Sequence, residues 1–175
     1  MITISTLSNG CRVDVSGSKF DVFPAKIEKD TWTLAMHPEE ELTNEKVVSW
    51  PGEYDFGGIS VRAVGQEDGK QVSYACNAEH VNMAFIGSPV LSWSDNDVEK
   101  MGDIDVLVIS ADNAKKVQDA VEAIDPRMVV LLETDEGDLA GCLKAFGKND
   151  AISVKDVKIK KSGLPQGSRE VVVLG

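Results

Sequence analysis

The chain has 175 residues, of which 18 are basic and 29 acidic, for a formal net charge of −11 and a pI near 4.6. With 42% hydrophobic and 27% charged residues, it has the composition of a globular protein, which excludes a disordered tail, a collagen-like fibre and a coiled coil. The length fits a single domain, 1–175, large enough to bury about 68–70% of its unfolded surface. The acidity argues against nucleic acid as a partner, because phosphate backbones demand clustered Lys and Arg.

The first half reads as short strands in chain order. Ile2–Leu7, Arg12–Val15 and Lys19–Phe23 are parted by the turn signals Ser8-Asn9-Gly10 and Ser16-Gly17-Ser18. Thr31–Met36 and Lys46–Ser49 follow, then Ile59–Val64 and Gln71–Cys76 on either side of the hairpin signal Glu67-Asp68-Gly69-Lys70. Trp50–Gly58 reads as a turn leading into a strand.

The second half changes rhythm. Val81–Ile86 is a strand. Ser94 and Asp97 predict a capping box for a short helix carrying Val98 and Met101 and stopped by Gly102. Asp105–Ile109 and Met128–Leu132 are nearly continuous apolar runs, the mark of strands buried on both faces. Between them, Asp112 is expected to cap a helix with Ala114, Val117, Val121 and Ile124 at helical spacing, ended by Pro126. That makes residues 105–132 a βαβ unit. Leu139, Cys142, Leu143 and Phe146 repeat the helical stripe up to Gly147, and two short strands and Glu170–Leu174 close the chain. The basic run Lys155–Lys161 alternates like a strand with a solvated charged face.

Cys11, Cys76 and Cys142 are odd in number, far apart and without a CxxC, so they read as reduced core thiols. Residues 1–5 lack the features of a signal peptide, and no apolar run approaches the roughly 18–20 residues that span a bilayer. A cytoplasmic protein with no membrane partner is the expectation. His37 and His80 are the only histidines, too few for a multi-histidine zinc site, and no GxSxG, P-loop or GxGxxG occurs. His80 reads as surface. Trp32, Trp50 and Trp93 read as core packing, with Trp50, before Pro51-Gly52, as a candidate partner-facing aromatic.

Two stretches, Trp50-Pro51-Gly52-Glu53-Tyr54-Asp55-Phe56-Gly57-Gly58 and Met101-Gly102-Asp103-Ile104-Asp105-Val106-Leu107, together resemble segments of the metallo-β-lactamase-fold hydrolases, in their ascorbate-lactonase-like, zinc-dependent branch. Pro126-Arg127-Met128-Val129-Val130 is similar to that family's Pro-Lys-Ile-Val-Ile strand entry. The likeness covers roughly residues 1–135 and rests on structural rather than catalytic segments. It implies an αββα sandwich, two mixed β-sheets with outer helices, in a trimmed form. The βαβ unit and strand-rich first half point to an α/β fold by themselves.

The resemblance also implies a metal site, and here the chain departs from it. The family's His-x-His-x-Asp-His aligns with His37-Pro38-Glu39-Glu40-Glu41-Leu42. Glu39 and Glu41 stand for a histidine and the aspartate, and Leu42 for the last histidine. Phe23 replaces an early aspartate, Asp68 falls near a later histidine, Phe85-Ile86-Gly87-Ser88 replaces His-Leu-Gly-Asp, and Glu133 takes the place of the final histidine. The chain thus looks like a degenerate member lacking most of the ligands.

Two readings of the remaining donors stand side by side. In one, His37, Glu39, Glu41, Asp68 and Glu133 converge on a carboxylate-rich site for Mn²⁺, Mg²⁺ or Zn²⁺, with Ser88 orienting the substrate of a lactone, ester or phosphodiester hydrolase. In the other, they are solvated loop acids, with Phe23, Leu42 and Phe85 filling the pocket with hydrocarbon. The second leads to a pseudoenzyme with no cofactor and no catalytic residue, acting through a protein partner, a small ligand or a homo-oligomer.

Overall fold

A computed structural model describes residues 1–40 and 44–175 of the chain. Its strands are β1 (Ile2–Leu7), β2 (Gly10–Val15), β3 (Ser18–Val22), β4 (Trp32–Leu34), β5 (Val47–Val48), β6 (Gly52–Phe56), β7 (Ile59–Gln66), β8 (Gln71–Ala78), β9 (Val81–Ile86), β10 (Val106–Ser110), β11 (Met128–Leu132), β12 (Ser153–Val154), β13 (Asp156–Ile159) and β14 (Glu170–Leu174). The helices are α1 (Asp95–Met101), α2 (Ala114–Ile124) and α3 (Leu139–Ala145).

The strands form two mixed sheets. One has six strands in the order β13-β1-β2-β3-β4-β5, and the other has eight in the order β12-β14-β11-β10-β9-β8-β7-β6. β14, β11, β10 and β9 run parallel, while β9, β8, β7 and β6 are an antiparallel meander. Local chemistry accounts for the joints. Gly57 and Gly58, both with φ above zero, close the β6–β7 hairpin. Ser94 and Asp97 form the capping box of α1, and α2 stops at Asp125, in the left-handed region one residue before Pro126.

Ile2, Ile4, Val13, Phe20, Val22 and Leu34 of the six-stranded sheet meet Val61, Tyr74, Met83, Phe85, Val108 and Val130 of the other in the main core. Phe20 sits edge-on to Phe56 and Phe85, at 5.7 and 6.2 Å between ring centroids. Trp32 stacks on Phe56 at 4.3 Å. Burial of these apolar faces, at about 25 cal/mol per Å², is what holds the sheets together. A second core lies on the far face of the eight-stranded sheet, where Val117, Val121 and Ile124 of α2 and Cys142 and Leu143 of α3 cover Ile86, Leu107, Ile109, Val129 and Leu131.

The sandwich of two mixed sheets is therefore the one the sequence implies, but its helix layer is one-sided among the described residues. The outward positions of the six-stranded sheet explain this, because Thr3, Ser5, Arg12, Asp14 and Lys19 give a helix nothing apolar to bury against. Asp21 on that face is 1% exposed. Arg12 covers it with two hydrogen bonds of 2.7 and 2.8 Å and also reaches Glu28 at 3.2 Å.

Two local expectations change. Gly52–Phe56 is a strand rather than a turn. The cap of α2 is Asn113, whose side chain accepts from the Lys116 N–H, because Asp112 is turned toward Ser88 and the Val90 N–H instead.

Candidate functional site

The carboxyl ends of parallel strands in an open sheet are where α/β folds place their ligands. A cleft of about 600 Å³ opens there, lined by Phe23 after β3, Ala35–His37 and Glu39 after β4, Ser88 after β9, Ser110 of β10 and Thr134–Glu136 after β11. Its floor is hydrocarbon. Phe23 is 6% exposed and packs against the buried Tyr74 ring at 5.9 Å, while the Met36 methyl lies so close to Gly87 that a Cβ there would fall 2.3 Å from it. Tyr74 is held beneath by its hydroxyl, 2.5 and 2.8 Å from the Ala35 and Val48 carbonyls. Burial pushes its pKa up, so the phenol stays protonated.

The rim is acidic. Glu39, Asp135 and Glu136 line it with His37 and, among the described residues, no lysine or arginine, which favours cationic or neutral ligands over anions. His37 Nδ1 lies 3.1 Å from the Lys70 carbonyl oxygen. A carbonyl only accepts, so Nδ1 carries the proton in this contact. Ser88 donates to Asp112 Oδ2 at 2.8 Å, and the Val90 N–H reaches the same oxygen at 2.8 Å. Asp112 Oδ1 and Thr134 Oγ1 are buried without a hydrogen-bond partner among the described residues.

The structure brings together some of the residues singled out from the sequence. His37, Glu39, Ser88 and Phe23 share the cleft. Asp68 lines a separate depression with Glu67, Gly69 and Lys116, at the tip of the β7–β8 turn with φ +59°, a conformation in which Asp-Gly serves the turn itself. Glu133 is not among the cleft-lining residues; its N–H pairs with the Leu174 carbonyl and its carboxylate lies against Gly175. Glu41 and Leu42 lie outside the described residues. Phe85, expected as pocket filling, is instead 1% exposed within the core between the sheets. Asp135 and Glu136 are additions that the sequence reading did not single out.

Among the described residues, no three His, Cys, Asp or Glu side chains come together in an arrangement able to hold a metal ion. The three cysteines are free and buried. Burial raises the thiol pKa of each, to about 11 for Cys142, and keeps them inert. His80 is exposed in the β8–β9 turn. No helix is long and apolar enough to cross a membrane.

No family model and no curated protein matches the sequence. Solved structures do match the fold. A protein from Thermotoga maritima, provisionally described as a zinc-dependent hydrolase of the metallo-β-lactamase superfamily, superposes with a TM-score of 0.79 at 18% identity, over 99% of this chain and 98% of its own. A protein from Parabacteroides distasonis, provisionally described as a metal-dependent hydrolase, gives 0.62 at 11% identity over 98% and 92%. An isothiocyanate hydrolase from Delia radicum gut bacteria gives 0.57 at 10% over 99% and 96%. These likenesses establish the architecture: the chain has the metallo-β-lactamase-type α/β sandwich fold.

Proposed function

We propose that this chain is a non-catalytic binding protein on a hydrolase scaffold, a pseudoenzyme. The observation that carries this reading is the make-up of the cleft: one imidazole, a hydrocarbon floor of Phe23 and Met36, and no trio of ligand side chains among the described residues. A catalytic zinc is held by three protein ligands with a fourth position open to water, and water activation needs that geometry fixed. The donors described in the cleft, one imidazole beside carboxylates, speak against that zinc. What it suits is a small neutral or cationic ligand, its apolar body on Phe23 and Met36 and its polar end toward Glu39, Asp135 and Glu136.

One observation favours a second reading, a metal-dependent hydrolase with a carboxylate-rich site. The contact of His37 Nδ1 with the Lys70 carbonyl orients the ring as metal-ligating histidines are oriented, and Glu39 lies in the same cleft. Mass-spectrometric metal analysis after exposure to Zn²⁺, Mn²⁺ and Mg²⁺ and dialysis separates the two. The binding-protein reading expects less than about a tenth of an equivalent of any metal, since metal catalysis needs an occupied site. About one equivalent, lost in His37→Ala and Glu39→Ala, overturns it.

A further inference from the structure

The face of the eight-stranded sheet that carries the helices is not covered evenly. Beyond the end of α1, a groove of about 630 Å³ runs over β6, β7, β8 and β9. Glu53 and Asp55 of β6, Arg62 of β7 and Asp103 after α1 line it, beside an apolar wall of Met101 and Ile104. The single cation that lines it among the described residues is already engaged: Arg62 Nε lies 3.3 Å from Glu53, and its Nη1 donates to the Lys100 carbonyl at 3.0 Å. Among the described residues, Asp55 accepts only from the Ser60 hydroxyl, at 3.1 Å, and Asp103 makes no ion pair. The groove therefore carries carboxylates in excess.

Its border is an open strand edge. β6 ends the eight-stranded sheet and pairs, among the described residues, with β7 alone. Exposed edges are ordinarily blunted by lysine, proline or a bulge. This one is blunted by Glu53 and Asp55, which would oppose their own copies if two chains paired here, and which attract a partner of opposite charge. Trp50, 48% exposed, stands just before the strand, an aromatic of the kind that anchors interfaces.

We infer that β6 and its groove dock an extended segment of a partner protein bearing Lys or Arg at alternate positions. The segment adds to the open edge through main-chain hydrogen bonds, its basic side chains lie along Glu53 and Asp55, and one end rests on Trp50. No residue lining this groove lines the cleft, so the outcome of metal analysis there leaves the inference untouched.

Fluorescence anisotropy with a labelled peptide of alternating lysine and valine tests it, alongside the same peptide N-methylated at alternate amides. The protein is compared with a double variant, Glu53→Lys with Asp55→Lys, whose exposed positions leave the fold intact by circular dichroism. The expected result is saturable binding, weakened about tenfold or more both by N-methylation and by the charge reversal. Three results overturn the inference: no saturable binding, equal binding of the methylated peptide (attraction to an acidic surface without strand addition), or equal binding by the charge-reversed protein.

Discussion

At the two ends of the parallel strands β9, β10 and β11, an aspartate meets opposite surroundings. Asp105, at the amino end, is 8% exposed and fully engaged. Its Oδ2 accepts from Lys161 Nζ at 2.6 Å and from the Asn82 N–H at 2.9 Å, Arg127 stands 3.7 Å from Oδ1, and its carbonyl accepts the Arg127 and Met128 N–H groups. One residue thereby ties three strands together. Asp112, at the carboxyl end, also holds two donors, but both on Oδ2, while its buried Oδ1 and the nearby Thr134 hydroxyl lack protein partners among the described residues. The lower end is built for stability. The upper end, beside the cleft, leaves two polar atoms without a protein partner among the described residues.

The largest expected effect is at the lower end. Asp105→Ala strands the Asn82 N–H and two cations, and should cost about 2–4 kcal/mol in urea unfolding. Burial alone would raise the Asp105 pKa, but the Lys161 and Asn82 hydrogen bonds and the Lys161 and Arg127 charges outweigh it and hold the carboxyl below its ordinary value. Its contribution is therefore present at neutral pH and lost as pH falls below about 4, and Asp105→Asn should flatten that acid slope. Asp112→Ala, which frees Ser88 and the Val90 N–H, should cost less, about 1–2 kcal/mol. Equal costs at the two ends would break the comparison. His37→Ala, which removes an exposed ring, should change stability by no more than about 0.5 kcal/mol; a larger loss would make His37 a structural residue and weaken both readings of the cleft.

What could be read from the sequence follows the same division. β1, β9, β11 and β14 have the expected bounds: β11 is buried along its whole length and so is written in apolar residues, while β1 shows its buried face through Ile2 and Ile4. β6 is not legible as a strand because an edge strand needs only Tyr54 and Phe56 facing inward, and Gly52, Glu53 and Asp55 read as a turn. The cap of α2 lies one residue beyond the expected Asp112, since Asp112 and Asn113 are equal candidates locally and the choice is made by Ser88 and Val90, on another loop. The segments that carry the family resemblance hold Asp105 and Arg127, members of the lower network, which the fold needs whatever the cleft does. At the site, His37 and Glu39 reach the cleft through β4, whereas Glu133 does not line it, because β14 engages the backbone where β11 ends.

The pairing of β1 with β13, Ile2 opposite Ile159 and Ser5 opposite Asp156, has a kinetic consequence. β1 finds one of its two neighbours only once the chain as far as Asp156–Ile159 has been made, and β11 likewise waits for β14. Loop closure over such separations places folding in the slow, millisecond-to-second range typical of non-local topologies. During synthesis, the apolar inner face of β1 and β2 lacks its full complement of strands, so the nascent chain is the form most exposed to aggregation and most dependent on chaperones.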